Sequence, residues 1–219
     1  MSRSTITVDV WSDIACPWCY IGKRKFEEGA GAFDGDVEVR YHSYELAPDT
    51  PVDFDGSEID FLATHKGMPA EQVRQMLDRM TVTAAEVGLA YDFDALRHTN
   101  TLRAHQVLHY AKARGKQLEL LERLFRAHFE QGRHLGRDDE LADLASDVGL
   151  DPADVLRSLV SGEYAGDVEA DIAQARELGI SGVPFFVFNG KYGVSGAQSP
   201  QTFAQVLTQV AAEDVARVE

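Results

Sequence analysis

Two stretches near the start of the chain alternate apolar and polar residues, which is the pattern of half-buried β-strands. The first reads TITVDVW and the second reads VEVRYHSYEL. The apolar positions that recur at every second residue are Ile6, Val8 and Val10 in the first stretch and Val37, Val39 and Tyr41 in the second. A helical segment separates the two stretches, so the pattern predicts parallel strands joined by a right-handed crossover.

The joining segment, PWCYIGKRKFEEGAGAF, has the apolar spacing of an amphipathic helix. Pro17 suits the first helical position, where its missing N–H costs nothing, and Gly29 and Gly31 indicate the exit. The residues on the side predicted to face the sheet are Cys19, Gly22, Phe26 and Ala30.

Residues 51–162 contain no strand pattern, and amphipathic helical segments follow one another instead. One of these segments reads QLELLERLFRAHFEQG. The predicted starts and stops of the others are Pro69 and Gly88 for one helix, Gly115 for the end of the next, Asp138 for an N-cap, and Asp151 with Pro152 for the start of the last.

The last third of the chain predicts a helix, a hairpin and a closing helix. After the helical stretch YAGDVEADIAQARELG comes VPFFVFNGKYGVSG, in which two strand patterns flank Asn189 and Gly190. This dipeptide favours a β-hairpin with a two-residue type I′ turn. Ser199 and Pro200 then begin the closing helix.

Composition narrows the class of protein. The chain has 219 residues, of which 44% are hydrophobic and 26% charged, as in soluble globular proteins. Its formal net charge of −15 argues against nucleic acid or an anionic membrane as a partner. Neither a secretory signal nor an apolar run of the ~18 residues needed to span a bilayer is present, so we expect a cytoplasmic protein.

Both cysteines of the chain lie in the stretch SDIACPWCYIGKRKF. In a reducing compartment such a pair is catalytic, redox-sensing or metal-binding rather than a structural disulfide. Since the helix begins at Pro17, we expect Cys16 at the N-cap, where free amide groups and the helix dipole favour a thiolate. Cys19 follows one turn later and can reach it. We therefore expect Cys16 to attack a disulfide and Cys19 to resolve the mixed disulfide.

The neighbours of the cysteines would tune this chemistry. Pro17 stiffens the turn, and Trp18 carries no charge that could stabilise the Cys16 thiolate. We therefore expect a reduction potential of about −180 to −270 mV, less oxidising than the strongest known dithiol oxidants. Asp13 is either a proton acceptor for the pair or a turn residue at the strand end.

The CPWC motif after a first strand, with Val183-Pro184 ahead of the hairpin, resembles the thioredoxin superfamily. More narrowly, the SDxxCPWCYIGK opening and the GxxGVPFFVF…GAQ segment are similar to DsbA-like oxidoreductases of the FrnE type. The resemblance implies a cis peptide bond before Pro184, close to Cys16, and backbone hydrogen bonds from Val183 to the substrate. It also implies substrate contacts for Asn100 and His105, which lie in the segment NTLRAH.

By the same resemblance we expect an α/β, thioredoxin-like domain formed by residues 1–50 and 163–219, interrupted by an inserted all-α domain at residues 51–162. The activity implied is thiol–disulfide oxidoreduction on a protein or a small thiol or disulfide, as a reductase or isomerase. No bound cofactor and no metal are expected. Glutathione or a partner reductase would recycle the cysteine pair.

Three other functions remain as alternatives. A zinc site would combine the two cysteines with His105 and His109, which are spaced at i and i+4. A glutathione-dependent enzyme would resemble the kappa-class transferases or the hydroxychromene-carboxylate isomerases, which carry serine at the position of Cys16. A redox-sensing binding protein would use the helical block to hold a partner.

Overall fold

The computed structural model of the chain describes residues 5–216, in which strands occur only near the two ends. In chain order the elements are β1 (Ile6–Ser12), α1 (Pro17–Gly31), β2 (Val37–Ser43), α2 (Glu58–Lys66), α3 (Ala70–Ala85), α4 (Leu102–Lys112), α5 (Gln117–Gln131), α6 (Asp138–Ser146), α7 (Pro152–Ser161), α8 (Ala165–Glu177), β3 (Phe185–Phe188), β4 (Tyr192–Ser195) and α9 (Pro200–Ala216). The predicted α/β fold with a helical insertion is confirmed.

The strands form one sheet in the order β2-β1-β3-β4. The predicted parallel pairing of β1 with β2 is confirmed, with Ile6 opposite Val37 and Ser12 opposite Ser43. β3 runs antiparallel to β1, and β4 runs antiparallel to β3. Helices α1 and α9 pack together beside the sheet. Their aromatic rings meet the sheet residue Phe186, with ring centroids 5.4 Å away for Phe26 and 4.7 Å away for Phe203.

The hairpin turn is one residue longer than predicted. Phe188 pairs with Tyr192, which leaves three residues in the loop instead of two. Asn189 and Gly190 both have positive φ, as a type I′ turn requires, and the N–H of Lys191 donates to the Phe188 carbonyl over 2.9 Å. Lys191 therefore completes the loop, and β4 begins at Tyr192, as the sequence predicts.

The prediction that glycines mark the exit of α1 was wrong for Gly29. The helix continues past this residue and ends at Gly31, with Ala32 as its C-cap. A Cβ atom at Gly29 would lie 2.5 Å from the carbonyl oxygen of Pro200. Gly29 is therefore the point at which α9 approaches the backbone of α1, and it does not terminate the helix.

Helices α2 to α7 all lie between β2 and α8, inside the stretch predicted to be helical. The sequence pattern did not predict α2, which Ser57 caps reciprocally with Asp60. Asp138 is the first residue of α6, and the N-cap position predicted for it belongs to Arg137. One apolar core includes both Phe186 of the sheet and Leu124 of α5, and the division into two domains stays a prediction.

A buried polar network joins the sheet to the helices. The carboxylate of Asp171 on α8 lies 2.8 Å from His42 Nδ1 on β2 and 2.9 Å from His109 Nε2 on α4. Burial acts to raise the pKa of Asp171, but these histidines hold it well below its usual range. Burial acts to lower the pKa of His42, yet Asp171 and Asp9 raise it. The imidazole of His42 also stacks on Trp11, with ring centroids 4.5 Å apart.

Candidate active site

The Cys-Pro-Trp-Cys motif lies where β1 passes into α1. Cys16 is the N-cap residue, with extended backbone angles, and Pro17 occupies the first turn, as predicted. The N–H of Cys16 donates to the carbonyl of Asp13 over 3.1 Å, and the N–H of Cys19 donates to the carbonyl of Cys16 over 3.0 Å. This turn places Cys16 against the amino end of α1 and Cys19 one helical turn behind it.

Both cysteines are free thiols, but their surroundings differ. Cys16 is 4% exposed and borders an internal cavity, whereas Cys19 is 1% exposed and lies in the core. Burial raises the pKa of the Cys19 thiol well above its usual range, and the hydrogen bond with Cys16 and the charge of that neighbour act in the same direction. The Cys19 thiol therefore keeps its proton.

The segment before β3 completes the surroundings of Cys16. The Val183–Pro184 peptide bond is cis. The Cys16 thiol donates to the carbonyl oxygen of Val183, with Sγ and O 3.6 Å apart. A Cβ atom at Gly22 would lie 2.9 Å from Cγ of Pro184, so the glycine lets α1 approach the proline ring. Cys16 and Val183, which are 167 positions apart in the chain, are therefore in contact at the Cys16 sulfur.

Asp13 borders the same cavity but is a buried structural acceptor. Its carboxylate accepts from the backbone N–H groups of Ala15 and Leu46, over 3.3 and 2.8 Å, and lies 3.3 Å from His105 Nε2. Burial acts to raise the pKa of Asp13, but the hydrogen bond and charge of His105 and the Leu46 amide lower it overall. An ionised carboxylate with its donors in place is a turn residue, which favours the second of the two predicted roles.

The structure does not place Asn100 and His105 in the cavity wall. The Asn100 side chain accepts from the Leu102 N–H at the start of α4 and donates to the Pro48 carbonyl, over 2.9 Å in each case. His105 is buried behind Asp13. Neither residue lines the cavity at Cys16, and their substrate contacts stay a prediction.

The helical block contributes residues to the site that the sequence did not indicate. Tyr91 donates its hydroxyl to the Pro17 carbonyl over 2.7 Å. From α2, Phe61 and Leu62 face the same cavity as Cys16 and Trp18. Trp18 itself is 41% exposed and is the accessible side of the motif. No short motif marks Tyr91 or α2, so only their packing reveals them.

Metal binding by the motif finds no geometric support. Among residues 5–216 the structure contains no group of three or more histidine, cysteine or acidic residues that could hold a metal ion. His105 and His109, the candidate partners of the cysteines, contact two different carboxylates, those of Asp13 and Asp171. None of the helices in residues 5–216 is long and apolar enough to cross a membrane.

A parallel β-α-β unit, an antiparallel hairpin and a Cys-x-x-Cys pair beside a cis-proline define a thioredoxin-like protein. The chain belongs to the family described as the DSBA-like thioredoxin domain, whose model matches residues 7–208. The predicted DsbA-like relationship is thereby confirmed.

Individual relatives agree with this family. The chain is 42% identical to a probable DsbA oxidoreductase, SCO1869, from Streptomyces coelicolor, with a TM-score of 0.89 over 95% of this chain and 91% of that one. It is 30% identical to the uncharacterized protein YwbO of Bacillus subtilis, over 93% of this chain and 96% of that protein. The cytosolic disulfide reductase DsbM from Pseudomonas aeruginosa, solved with GSH, shares the fold at 20% identity, with a TM-score of 0.66 over 93% of this chain and 98% of that one.

Proposed function

We propose that the protein is a thiol–disulfide oxidoreductase in which Cys16 is the nucleophile and Cys19 the resolving thiol. One observation carries the proposal: the Cys16 sulfur lies at the amino end of α1 and borders a cavity, and Cys19 is buried one turn behind it. Free amide groups and the helix dipole stabilise a thiolate at that position. A thiolate that faces a cavity, with a second, protonated thiol behind it, is the arrangement that disulfide exchange requires.

The exchange takes place in two steps. The Cys16 thiolate attacks one sulfur of a substrate disulfide, forms a mixed disulfide, and releases the other substrate half as a thiolate. Cys19 then loses its proton and attacks the Cys16 sulfur, which forms the Cys16–Cys19 disulfide and releases the second half. Two electrons pass to the substrate, and the two protons of the cysteine thiols end on the two released thiols.

The carbonyl of Val183 accepts from the protonated Cys16 thiol, and a carbon atom of the adjacent Pro184 lies close to Gly22 of α1. This bond is released when Cys16 ionises for the first step, which leaves the carbonyl beside the sulfur free to accept from a substrate. No cofactor takes part in this chemistry. Glutathione or a partner reductase returns the oxidised pair to the dithiol, and a cytoplasmic location accords with the cytosolic disulfide reductase of similar fold.

The buried resolving thiol favours this function over a glutathione-dependent isomerase. An isomerase needs one group that activates glutathione and has no use for a second thiol behind it. In this chain Cys19 lies close enough to Cys16 for a hydrogen bond between them to contribute to the raised pKa of Cys19. The packing at Gly22 further brings Pro184 against the same helix.

The test is oxidation of the reduced protein by glutathione disulfide, followed by mass spectrometry. The wild-type protein should form the intramolecular disulfide, Cys16→Ala should remain unmodified, and Cys19→Ala should stop at a stable adduct of Cys16 with glutathione. Trp18→Phe keeps both thiols and serves as the control. Full formation of a glutathione adduct by Cys16→Ala would overturn the assignment. Turnover of a small aromatic substrate by Cys19→Ser would favour the isomerase instead.

A further inference from the structure

The cavity at Cys16 has the dimensions of a small-molecule site. Its volume is about 300 Å³, at the lower end of the ~300–1,000 Å³ that such sites occupy. The apolar side chains of its wall come from the loop after β2 and from α2 and α3. They are Leu46, Phe61, Leu62, Met76 and Met80.

Helix α2 borders the cavity in which a peptide substrate would have to reach Cys16. In strand addition, a peptide substrate lies extended beside the nucleophile and pairs with backbone groups next to it. Here Phe61 and Leu62 of α2 border the same 300 Å³ space as Cys16 and Val183. The Cys16 residue is correspondingly 4% exposed. A compact ligand fits this space as it stands, whereas a polypeptide segment that exceeds 300 Å³ would have to open the wall.

His98 fixes the position of α2 in the cavity wall. His98 Nδ1 lies 2.7 Å from a carboxylate oxygen of Glu58, and the His98 ring stacks on Phe61 with ring centroids 3.4 Å apart. A carboxylate only accepts, so Nδ1 carries the hydrogen of this bond. The side chain is 6% exposed, and within residues 5–216 its Nε2 has no hydrogen-bond partner. Nε2 is itself buried, so His98 shapes the wall by holding Phe61 and Glu58 of α2 in place.

Charge limits the occupant further. The carboxylates of Asp13 and Glu58 both border the cavity, and Asp13 adjoins the nucleophile. Lys66, the lysine that borders it, is exposed at the end of α2. An anionic group next to the sulfur would therefore meet like charge in a site of low polarity.

From these features we infer the substrate class: a low-molecular-weight disulfide that has no anionic group directly beside its sulfurs and has an aromatic or branched apolar half that fits against Phe61 and Met80. The inference rests on the proposed function and adds the selection of compact substrates over polypeptides. The electron balance is that of the exchange described above, with the reduced cysteine pair as the two-electron donor.

Single-turnover kinetics test the inference directly. The reduced protein is mixed with dithiodipyridine, which is neutral and aromatic, with dianionic dithiobis(nitrobenzoate), and with insulin. Each rate is divided by the rate at which the same disulfide reacts with mercaptoethanol. This ratio corrects for the different intrinsic reactivities of the three disulfides. We expect the normalised rate for dithiodipyridine to exceed those for the other two by about tenfold or more.

Variants of the wall provide the matched comparison. Phe61→Ala and Met80→Ala should each reduce the advantage of dithiodipyridine over insulin by about fivefold. Val82→Ala removes an exposed apolar side chain from α3, outside the cavity wall, and should leave the ratio unchanged. An insulin rate equal to that of dithiodipyridine, or the same response from Val82→Ala as from the wall variants, overturns the inference alone. If no disulfide oxidises the cysteine pair, the proposed function itself fails.

Discussion

The hydroxyl of Tyr91 donates to the backbone carbonyl of Pro17, over 2.7 Å, in the first turn of the helix that carries both cysteines. Tyr91 belongs to the segment between α3 and α4, and its ring packs on Phe129 of α5 with centroids 4.8 Å apart. The helical insertion is therefore bonded to the redox motif itself. Burial of the Tyr91 side chain raises the pKa of its phenol well above the usual range, so the hydroxyl stays protonated and donates.

Replacing Tyr91 with phenylalanine tests this bond. The ring contacts with Phe129 would remain, and only the hydrogen bond to Pro17 would be lost. We expect Tyr91→Phe to lower the free energy of unfolding by about 1 kcal/mol, measured by urea denaturation of the reduced protein. An unchanged unfolding curve would show that the bond contributes nothing to stability.

The two thiols should differ sharply in reactivity. Because burial raises the pKa of Cys19, it should resist iodoacetamide at pH 7, while Cys16 is alkylated. In Cys16→Ala the burial remains, so the lone Cys19 should still react only in strongly alkaline solution. Peptide mass spectrometry over a pH series measures both sites. Equal labelling of the two cysteines at neutral pH would contradict the assigned roles.

The uncharged Trp18 predicts a reduction potential of about −180 to −270 mV, measured by equilibration with glutathione buffers. Trp18→His would place an imidazole beside Cys16 in the cavity wall. An imidazolium there stabilises the thiolate and hence the reduced form, so the potential should become less negative by about 30 mV or more. Trp18→Phe keeps an uncharged ring and should shift it little. A wild-type potential above about −140 mV would disprove the prediction.

Two glycines of α1 offer a matched test of packing. At Gly29 a methyl group would lie 2.5 Å from the Pro200 carbonyl oxygen, whereas at Gly31 no atom lies within 4 Å of it. We expect Gly29→Ala to destabilise the fold by about 1–3 kcal/mol, because α9 must move away from α1. Gly31→Ala should be neutral or stabilising by up to about 1 kcal/mol. Thermal or urea unfolding compares them, and equal effects would refute the close approach.

Acid sensitivity should depend on His128, which is buried in α5 beside Phe129. Burial, with a smaller contribution from His98, lowers its pKa from the ordinary 6.5 to about 3. Between these values the unfolded chain binds a proton that the folded chain does not, so stability falls as pH falls through this window. The slope is about 1.4 kcal/mol per pH unit.

Replacement of His128 by leucine should remove this dependence. The quantity to compare is the free energy of unfolding of the wild type minus that of His128→Leu. We expect this difference to decrease with that slope as the pH falls from 6 to 4, and to be constant above pH 7. Urea unfolding at a series of pH values measures this difference. The carboxylates titrate in both proteins alike, so their contribution drops out of it. Parallel curves for the two proteins would show that His128 titrates normally.

The sheet and the position of the nucleophile could be predicted because their signals are local. Alternation at period two marks β1, and Pro17 at the first helical position fixes where Cys16 lies. Asn189 followed by glycine marks the hairpin turn, though the extra loop residue, Lys191, depends on how the strands pair. In each case a few neighbouring residues carry the physical cause.

The cavity wall was not predictable in this way. Phe61 and Leu62 lie next to each other on α2, a short helix with no clear apolar stripe, and their role comes from contact with residues far along the chain. The segment with Asn100 was recognised, yet its contacts serve the start of α4 and the loop at Pro48. Gly29 was similarly assigned from helix-end statistics, whereas its true constraint is the arrival of α9.

The pairing of β1 with β3 joins residues about 180 positions apart, Val8 with Phe188 at one end. During synthesis, β1 and both cysteines emerge from the ribosome long before Val183 and Pro184. The nucleophile is therefore translated well ahead of the segment that shields it, and the nascent chain exposes a reactive sulfur until the final hairpin arrives. The sheet can therefore be completed only after the hairpin of β3 and β4 has been translated.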